Sequence, residues 1–129
     1  MSLKGPDEKF SLKARTEGFK CAFSGLFRLF REEHNASIHL VILILVIIGG
    51  IVFKISGNDW IAIAIVSGMV FASECFNTSV ENLSDFVSPG KDDKIRKIKD
   101  VAAAGVLVSA ITAAVVGMII FIPELMRLL

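Results

Sequence analysis

Three long apolar runs constrain this chain more than any other feature of its sequence. They begin near residues 38, 60 and 101, and charged side chains are rare within them. An α-helix rises about 1.5 Å per residue, so about 20 apolar residues cross a hydrocarbon core about 30 Å thick. With 129 residues, 53% hydrophobic composition and a mean hydropathy of +0.67, the sequence predicts one all-α integral-membrane domain over residues 11–129 and no soluble core.

Turn and helix-breaking residues set the bounds of the predicted spans. Residues 56–59 (SGND) predict a tight turn after the first run, with Lys54 reaching the interface and Trp60 anchored there. Residues 88–90 (SPG) end the second helix, because proline cannot continue the hydrogen-bond ladder. Pro123 and Glu124 are predicted to end the third. The predicted spans are therefore 36–55, 60–86 and 100–122.

The N-terminal part of the chain has a different pattern. Residues 1–10 are polar, include Gly5 and Pro6, and are predicted to be disordered. Over residues 11–31, aromatic and aliphatic residues recur every three or four positions among lysines and arginines. This predicts a basic amphipathic helix on the bilayer surface. Packing on another protein is the alternative, and a nucleic-acid partner is disfavoured because membrane segments follow at once.

Small residues repeat every fourth position in two of the spans. At this spacing they let membrane helices approach closely, so each series predicts a packing face. The series are Gly105, Ser109, Ala113 and Gly117 in the third span, and Ala64, Gly68 and Ala72 in the second.

The basic residues indicate how the chain is oriented. The N-terminal arm and the loop around residues 91–99 hold nearly all of them, whereas the turn at 56–59 has none. Cytoplasmic loops carry the excess of lysine and arginine. The N-terminus and the longer loop are therefore predicted to face the cytoplasm.

Glu74 follows the uncharged run IAIAIVSGMVFAS, where an ionisable group is expensive and is functional by default. With Glu74, one helix stripe carries Asn77, Thr78, Glu81 and Asp85, at offsets of three, four and seven. Glu74 and Glu81 would stand roughly 10 Å apart. That is too far for both to bind one metal ion, so one could bind a cation while the other handles a proton. Asp85 could equally be solvated.

These residues alone predict a small polytopic membrane protein with an acidic site at its cytoplasmic face. An ion channel or transporter would also place acids in a membrane helix, and a non-catalytic assembly protein is a further alternative. No P-loop or protein-kinase motif is present. His34 and His39 lie five positions apart, a spacing that does not put them on one helix face as metal ligands.

Several polar positions in order resemble a known enzyme family. The string ECFNTSVE, then Asp85, then KDVAAAGV opening the next apolar run, is similar to the bacterial diacylglycerol kinase and undecaprenol kinase family. Upstream, Gly25, then EHN at 33–35 and Ile38 with His39 also match. These are small integral-membrane lipid kinases, and the resemblance extends from about residue 16 onward.

The resemblance implies an activity and a set of site residues. It implies a homotrimer in the bacterial cytoplasmic membrane that transfers phosphate from ATP, with Mg²⁺, to diacylglycerol or undecaprenol. Glu74 resembles the general base, and Glu33 and Glu81 resemble the pair that holds the metal ion. Asn77, Lys99 and Asp100 match the remaining site positions of the family. The loop residues Gly90, Lys91 and Asp92 are implied to lie near ATP. Arg15 is the implied contact from the N-terminal arm. The EHN string with Ile38 and His39 is slightly more similar to the members of the family that use a polyprenol, which slightly favours undecaprenol as the acceptor.

Overall fold

Four α-helices make up the computed structural model, which describes residues 10–129. They are α1 (Leu12–Glu32), α2 (His34–Phe53), α3 (Gly57–Val87) and α4 (Asp93–Leu128). Helices α2, α3 and α4 are each long and apolar enough to cross a membrane, which confirms the prediction of an all-helical chain with three spans. Residues 1–9 of the segment predicted to be disordered lie outside the described residues.

The connection between α2 and α3 is shorter than predicted. Lys54 ends α2 in the left-handed conformation (φ 53°, ψ 52°), and Ser56 caps α3. The Ser56 hydroxyl accepts from the Asp59 backbone N–H (3.2 Å), and the Asp59 carboxylate accepts from the Ser56 backbone N–H (3.3 Å). This capping box satisfies two N–H groups at the helix start. The prediction of a turn over 56–59 is therefore wrong, because Gly57 to Asp59 already form the first turn of α3.

The C-terminal helix is longer than predicted. α4 continues through Pro123 to Leu128, so the prediction that Pro123 and Glu124 end it is wrong. Proline removes one ladder hydrogen bond, but membrane helices tolerate that loss when neighbouring groups and local adjustments satisfy the freed backbone. Apolar residues also continue beyond it at Leu125 and Met126.

The hydrophobic core lies near the α2–α3 turn. Ile55, Ile63 and Ile120 are buried together, and Trp60 packs against them. Gly50 makes this packing possible: a Cβ atom added there would stand 2.6 Å from Cη2 of Trp60. The core therefore joins all three spans at the end of the bundle away from residues 88–92.

The two series of small residues differ in their surroundings. On α4, Ser109 is buried, and Ala113 and Gly117 are half-buried, while Gly105 is exposed. The α3 series is exposed along its whole length, at Ala64, Gly68 and Ala72. The predicted packing face on α3 is therefore not used within a single chain.

The junction of α1 and α2 is held against α3. The Phe30 and Phe71 rings meet edge to face with centroids 5.5 Å apart, and the Ser37 hydroxyl donates to the Phe30 carbonyl oxygen (2.7 Å). Leu29 and Ala36 are buried on either side of the junction. The extended residue between the helices is Glu33 (φ −109°, ψ 113°), which these contacts hold in place.

Candidate active site

Glu74 is the most deeply buried charged residue described by the structure. Only 2% of it is exposed, although it lies in a membrane-capable helix. Its Oε1 atom lies 3.3 Å from Nε2 of His39 on α2, but the geometry does not make a hydrogen bond, and Oε1 is left without a partner. A buried carboxylate without full hydrogen bonding is costly, so this position fits a group kept for chemistry.

Two further buried polar atoms lie within the next helical turn. Asn77 Oδ1 and Thr78 Oγ1 have no hydrogen-bond partner. Within a helix a threonine hydroxyl can bond the carbonyl one turn back, as Thr112 does to Val108 on α4 (2.8 Å). The α3 face at residues 74–78 therefore holds three unsatisfied acceptor atoms, a concentration that a bound ligand would relieve.

Two further acidic residues lie near Glu74: Glu33, between α1 and α2, and Glu81, on α3. Both carboxylates are near enough to act on Glu74 electrostatically, with His39 as the opposing influence. Glu33 occupies the N-cap position of α2, but its side chain makes no capping hydrogen bond. Glu33 and Glu81 are both half-buried. The result is an acidic cluster whose carboxylates are not committed to helix capping.

A second cluster lies where α3 ends and α4 begins. A groove of about 690 Å³ opens there between the two helices and their connection. It brings together six of the residues predicted for the site, namely Glu81, Gly90, Lys91, Asp92, Lys99 and Asp100. Glu81 also acts on Glu74, so it links the groove to the buried carboxylate.

Several of the charged groups in this groove have structural contacts. The Lys99 ammonium donates to Asp85 Oδ1 (2.8 Å), which ties α4 to the end of α3. Asp92 is the N-cap of α4, and its Oδ1 accepts from the backbone N–H groups of Lys94 (2.8 Å) and Ile95 (3.3 Å). The Asp92 carboxylate thus has a capping role that the sequence pattern did not identify.

The charge of the groove favours a cation. Its lining contains five carboxylates and three basic side chains: Glu81, Asp85, Asp92, Asp93 and Asp100 against Lys91, Arg96 and Lys99. Among residues 10–129, no three histidine, cysteine or acidic side chains are placed to hold a metal ion by themselves. Mg²⁺ is usually held by one or two carboxylates together with substrate phosphates. The residues present fit that mode, in which the phosphates complete the coordination.

An apolar groove of about 590 Å³ runs between α2, α3 and α4. At one end its lining includes His39, Val70 and Phe71, and at the other it reaches Phe121 and Leu125. From Ala110 to Leu125 the α4 wall extends about 22 Å. The groove therefore follows the bundle through most of a bilayer's thickness and ends beside the residue that contacts Glu74.

Comparison with known proteins identifies the family. The model of the family described as prokaryotic diacylglycerol kinase matches residues 20–121. This chain belongs to that family. It is therefore an enzyme, a lipid kinase, with three membrane-capable helices.

Two relatives are similar to this lipid kinase over most of its length. The undecaprenol kinase of Bacillus subtilis (strain 168) is 29% identical over 123 residues, which cover 95% of this chain and 100% of that protein. The diacylglycerol kinase of Synechocystis sp. (strain ATCC 27184 / PCC 6803 / Kazusa) is 30% identical over 112 residues, covering 86% of this chain and 64% of the relative. No solved structure matches the chain.

The residues predicted from sequence fall into two neighbouring groups in this kinase. The first group surrounds the buried carboxylate of Glu74 and contains Glu33, Asn77 and Glu81. The second group lines the groove beside Glu81 and contains Gly90, Lys91, Asp92, Lys99 and Asp100. Arg15 lies in neither group, since its guanidinium stacks over the Phe10 ring at 5.2 Å. Sequence reasoning did not pair His39 with Glu74. The available signal was a single histidine early in an apolar run.

Proposed function

We propose that this lipid kinase transfers the γ-phosphate of ATP to the hydroxyl of a membrane lipid alcohol. The observation that carries the proposal is the position of Glu74. It is a buried, incompletely bonded carboxylate beside the head of an apolar groove, and Glu81 connects it to an acidic groove at the α3–α4 loop. A lipid and a nucleotide thus have adjacent places with a candidate base between them.

Glu74 is proposed as the acceptor of the hydroxyl proton. Removing that proton as the lipid oxygen attacks phosphorus is general base catalysis, which typically contributes about 10²–10⁴-fold. The burial of Glu74 supports this role, because water is excluded from the carboxylate. Asn77 presents its unpaired Oδ1 one turn away and is proposed to contact the bound substrates.

Glu33 and Glu81 are proposed to hold Mg²⁺ on the phosphates. When bound, the ion neutralises charge that phosphoryl transfer spreads over the phosphate oxygens. Lys99 and Asp100 lie on the α4 side of the same groove, and Lys99 would balance negative charge there. Gly90, Lys91 and Asp92 are proposed to contact the nucleotide from the loop, and Arg15 from α1, which would require α1 to bring it closer.

The membrane placement follows from charge and from exposed apolar surface. We place the N-terminus, the 88–92 connection and the active site at the cytoplasmic face of the bacterial inner membrane. This agrees with the basic residues of the N-terminal arm and of residues 91–99. Helix α1 would lie on that surface through its exposed Phe19, Phe23 and Phe27. The exposed α3 series of small residues supports a homotrimer in which α3 packs on neighbouring chains.

The lipid acceptor is proposed to be undecaprenol in preference to diacylglycerol. The match to the Bacillus protein named undecaprenol kinase covers that relative completely, whereas the match to the protein named diacylglycerol kinase covers 64% of it. Both lipids present one hydroxyl above a long apolar body, as the groove that ends at His39 requires.

ATP turnover in mixed micelles with Mg²⁺ tests this proposal. Purified protein would be supplied with undecaprenol or with diacylglycerol, and the phosphorylated lipid would be identified. We expect faster turnover with undecaprenol. Preference for diacylglycerol would reverse the assignment of the acceptor, and cation conduction in vesicles without any lipid phosphorylation would instead favour an ion channel.

A further inference from the structure

His39 occupies the position between the apolar groove and the buried carboxylate. Its side chain lines the groove and is 23% exposed, whereas the Glu74 side chain is 3% exposed and does not line the groove. A hydroxyl at the head of the groove therefore meets the imidazole ring before it can meet Glu74.

The two side chains face each other through one pair of atoms. Nε2 of His39 lies 3.3 Å from Oε1 of Glu74, slightly beyond the usual range for an N–H···O bond. Such contacts are often long in active sites without substrate and shorten when it binds. Since Nε2 faces the carboxylate, Nδ1 is the ring nitrogen left for another partner. A histidine oriented by a buried carboxylate is a recurring general-base arrangement.

We propose that His39 is a second catalytic residue, which takes the proton of the lipid hydroxyl and passes a proton on to Glu74. This inference rests on the proposed lipid kinase reaction. The hydroxyl O–H bond breaks as Nδ1–H forms, and the Nε2 proton moves to Oε1 of Glu74. The lipid oxygen bonds to the γ-phosphorus of ATP, and the bond to ADP breaks. Glu74 thus remains the final proton acceptor.

The surrounding charges support the intermediate step. When Nδ1 takes the proton, the ring becomes positive until Nε2 releases its own proton. Glu33 and Glu81 both act on Glu74, so the positive ring forms beside an acidic cluster. Among residues 10–129, His39 is the basic side chain that the structure pairs with this carboxylate, so it is in place to relay a proton to Glu74.

Two variants test this role against a purely structural one. His39→Gln keeps a side chain that can donate to Glu74 but cannot relay a proton. We expect its kcat to fall by about 10²–10⁴-fold while its KM for ATP stays unchanged. His34→Gln is the matched control, because His34 is exposed at the first residue of α2, and it should retain wild-type kcat. A His39→Gln enzyme with wild-type kcat would overturn the proposal.

Chemical rescue provides a second readout that does not depend on that variant folding. His39→Ala opens space at the head of the groove, and added imidazole should restore its turnover but not that of Glu74→Gln. A His39→Ala enzyme that is fully active without imidazole would contradict the relay. Failure of the underlying function is distinguishable, because the wild-type enzyme would then phosphorylate no lipid at all.

Discussion

The sequence alone predicts that Glu74 is a functional residue, but it does not predict which side chain Glu74 contacts. An acid after an uncharged membrane run is expensive wherever the helix packs, so the sequence alone indicated a functional position. Its burial and its contact with His39 depend on how α2 is rotated against α3. No spacing rule within one helix can predict that rotation, and the pairing therefore emerged only from the structure.

Glu33 and Glu81 are also residue-scale predictions. If they hold the metal ion, Glu33→Gln and Glu81→Gln should each raise the Mg²⁺ concentration for half-maximal turnover by at least about tenfold. The measurement is a Mg²⁺ titration of turnover at fixed ATP. Glu17→Gln on the exposed surface of α1 is the control and should match the wild type. An unchanged Mg²⁺ requirement in both test variants would contradict the metal assignment.

Some helix ends can be predicted from the sequence and others cannot. The stop at residues 88–90 was predictable, because proline and glycine act locally, and α3 ends at Val87. The continuation of α4 through Pro123 was not, because it depends on what supports the freed backbone. The capping role of Asp92 was not predicted, because the resemblance assigned this residue only to the nucleotide loop.

Gly50 provides an element-scale test of the packing between α2 and α3. A methyl group at this position would overlap the Trp60 ring, and overpacking of this kind costs about 1–3 kcal/mol. We expect Gly50→Ala to lower the free energy of unfolding by that amount in detergent micelles. In the control Gly117→Ala, the added methyl meets no atom within 4 Å. Equal stability of the two variants would contradict the described contact.

At the scale of the whole molecule, the single chain leaves many large apolar side chains exposed along its membrane-capable helices. Lipid covers much of such a surface in a membrane protein, but small residues facing outward on α3 have little to gain from lipid contact. The number and type of helices were predictable from hydropathy. Which small-residue face packs within the chain was not, because both series satisfy the same spacing rule.

Assembly is therefore the whole-molecule prediction. Native mass measurement in detergent should give three times the 14.0 kDa chain mass. Gly68→Leu, which places a large side chain on the exposed α3 face, should shift the protein toward monomers because the helices can no longer approach. A wild-type protein that is monomeric while active would contradict the trimer.

The most direct test of the central claim is transfer of labelled γ-phosphate from ATP to undecaprenol by wild-type protein and by Glu74→Gln. Glu124→Gln, a change of the same kind at the far end of α4, is the control. We predict labelled lipid from the wild type and the control, and a rate lower by about 10²–10⁴-fold for Glu74→Gln. A folded Glu74→Gln protein that labels the lipid at the wild-type rate would contradict the account.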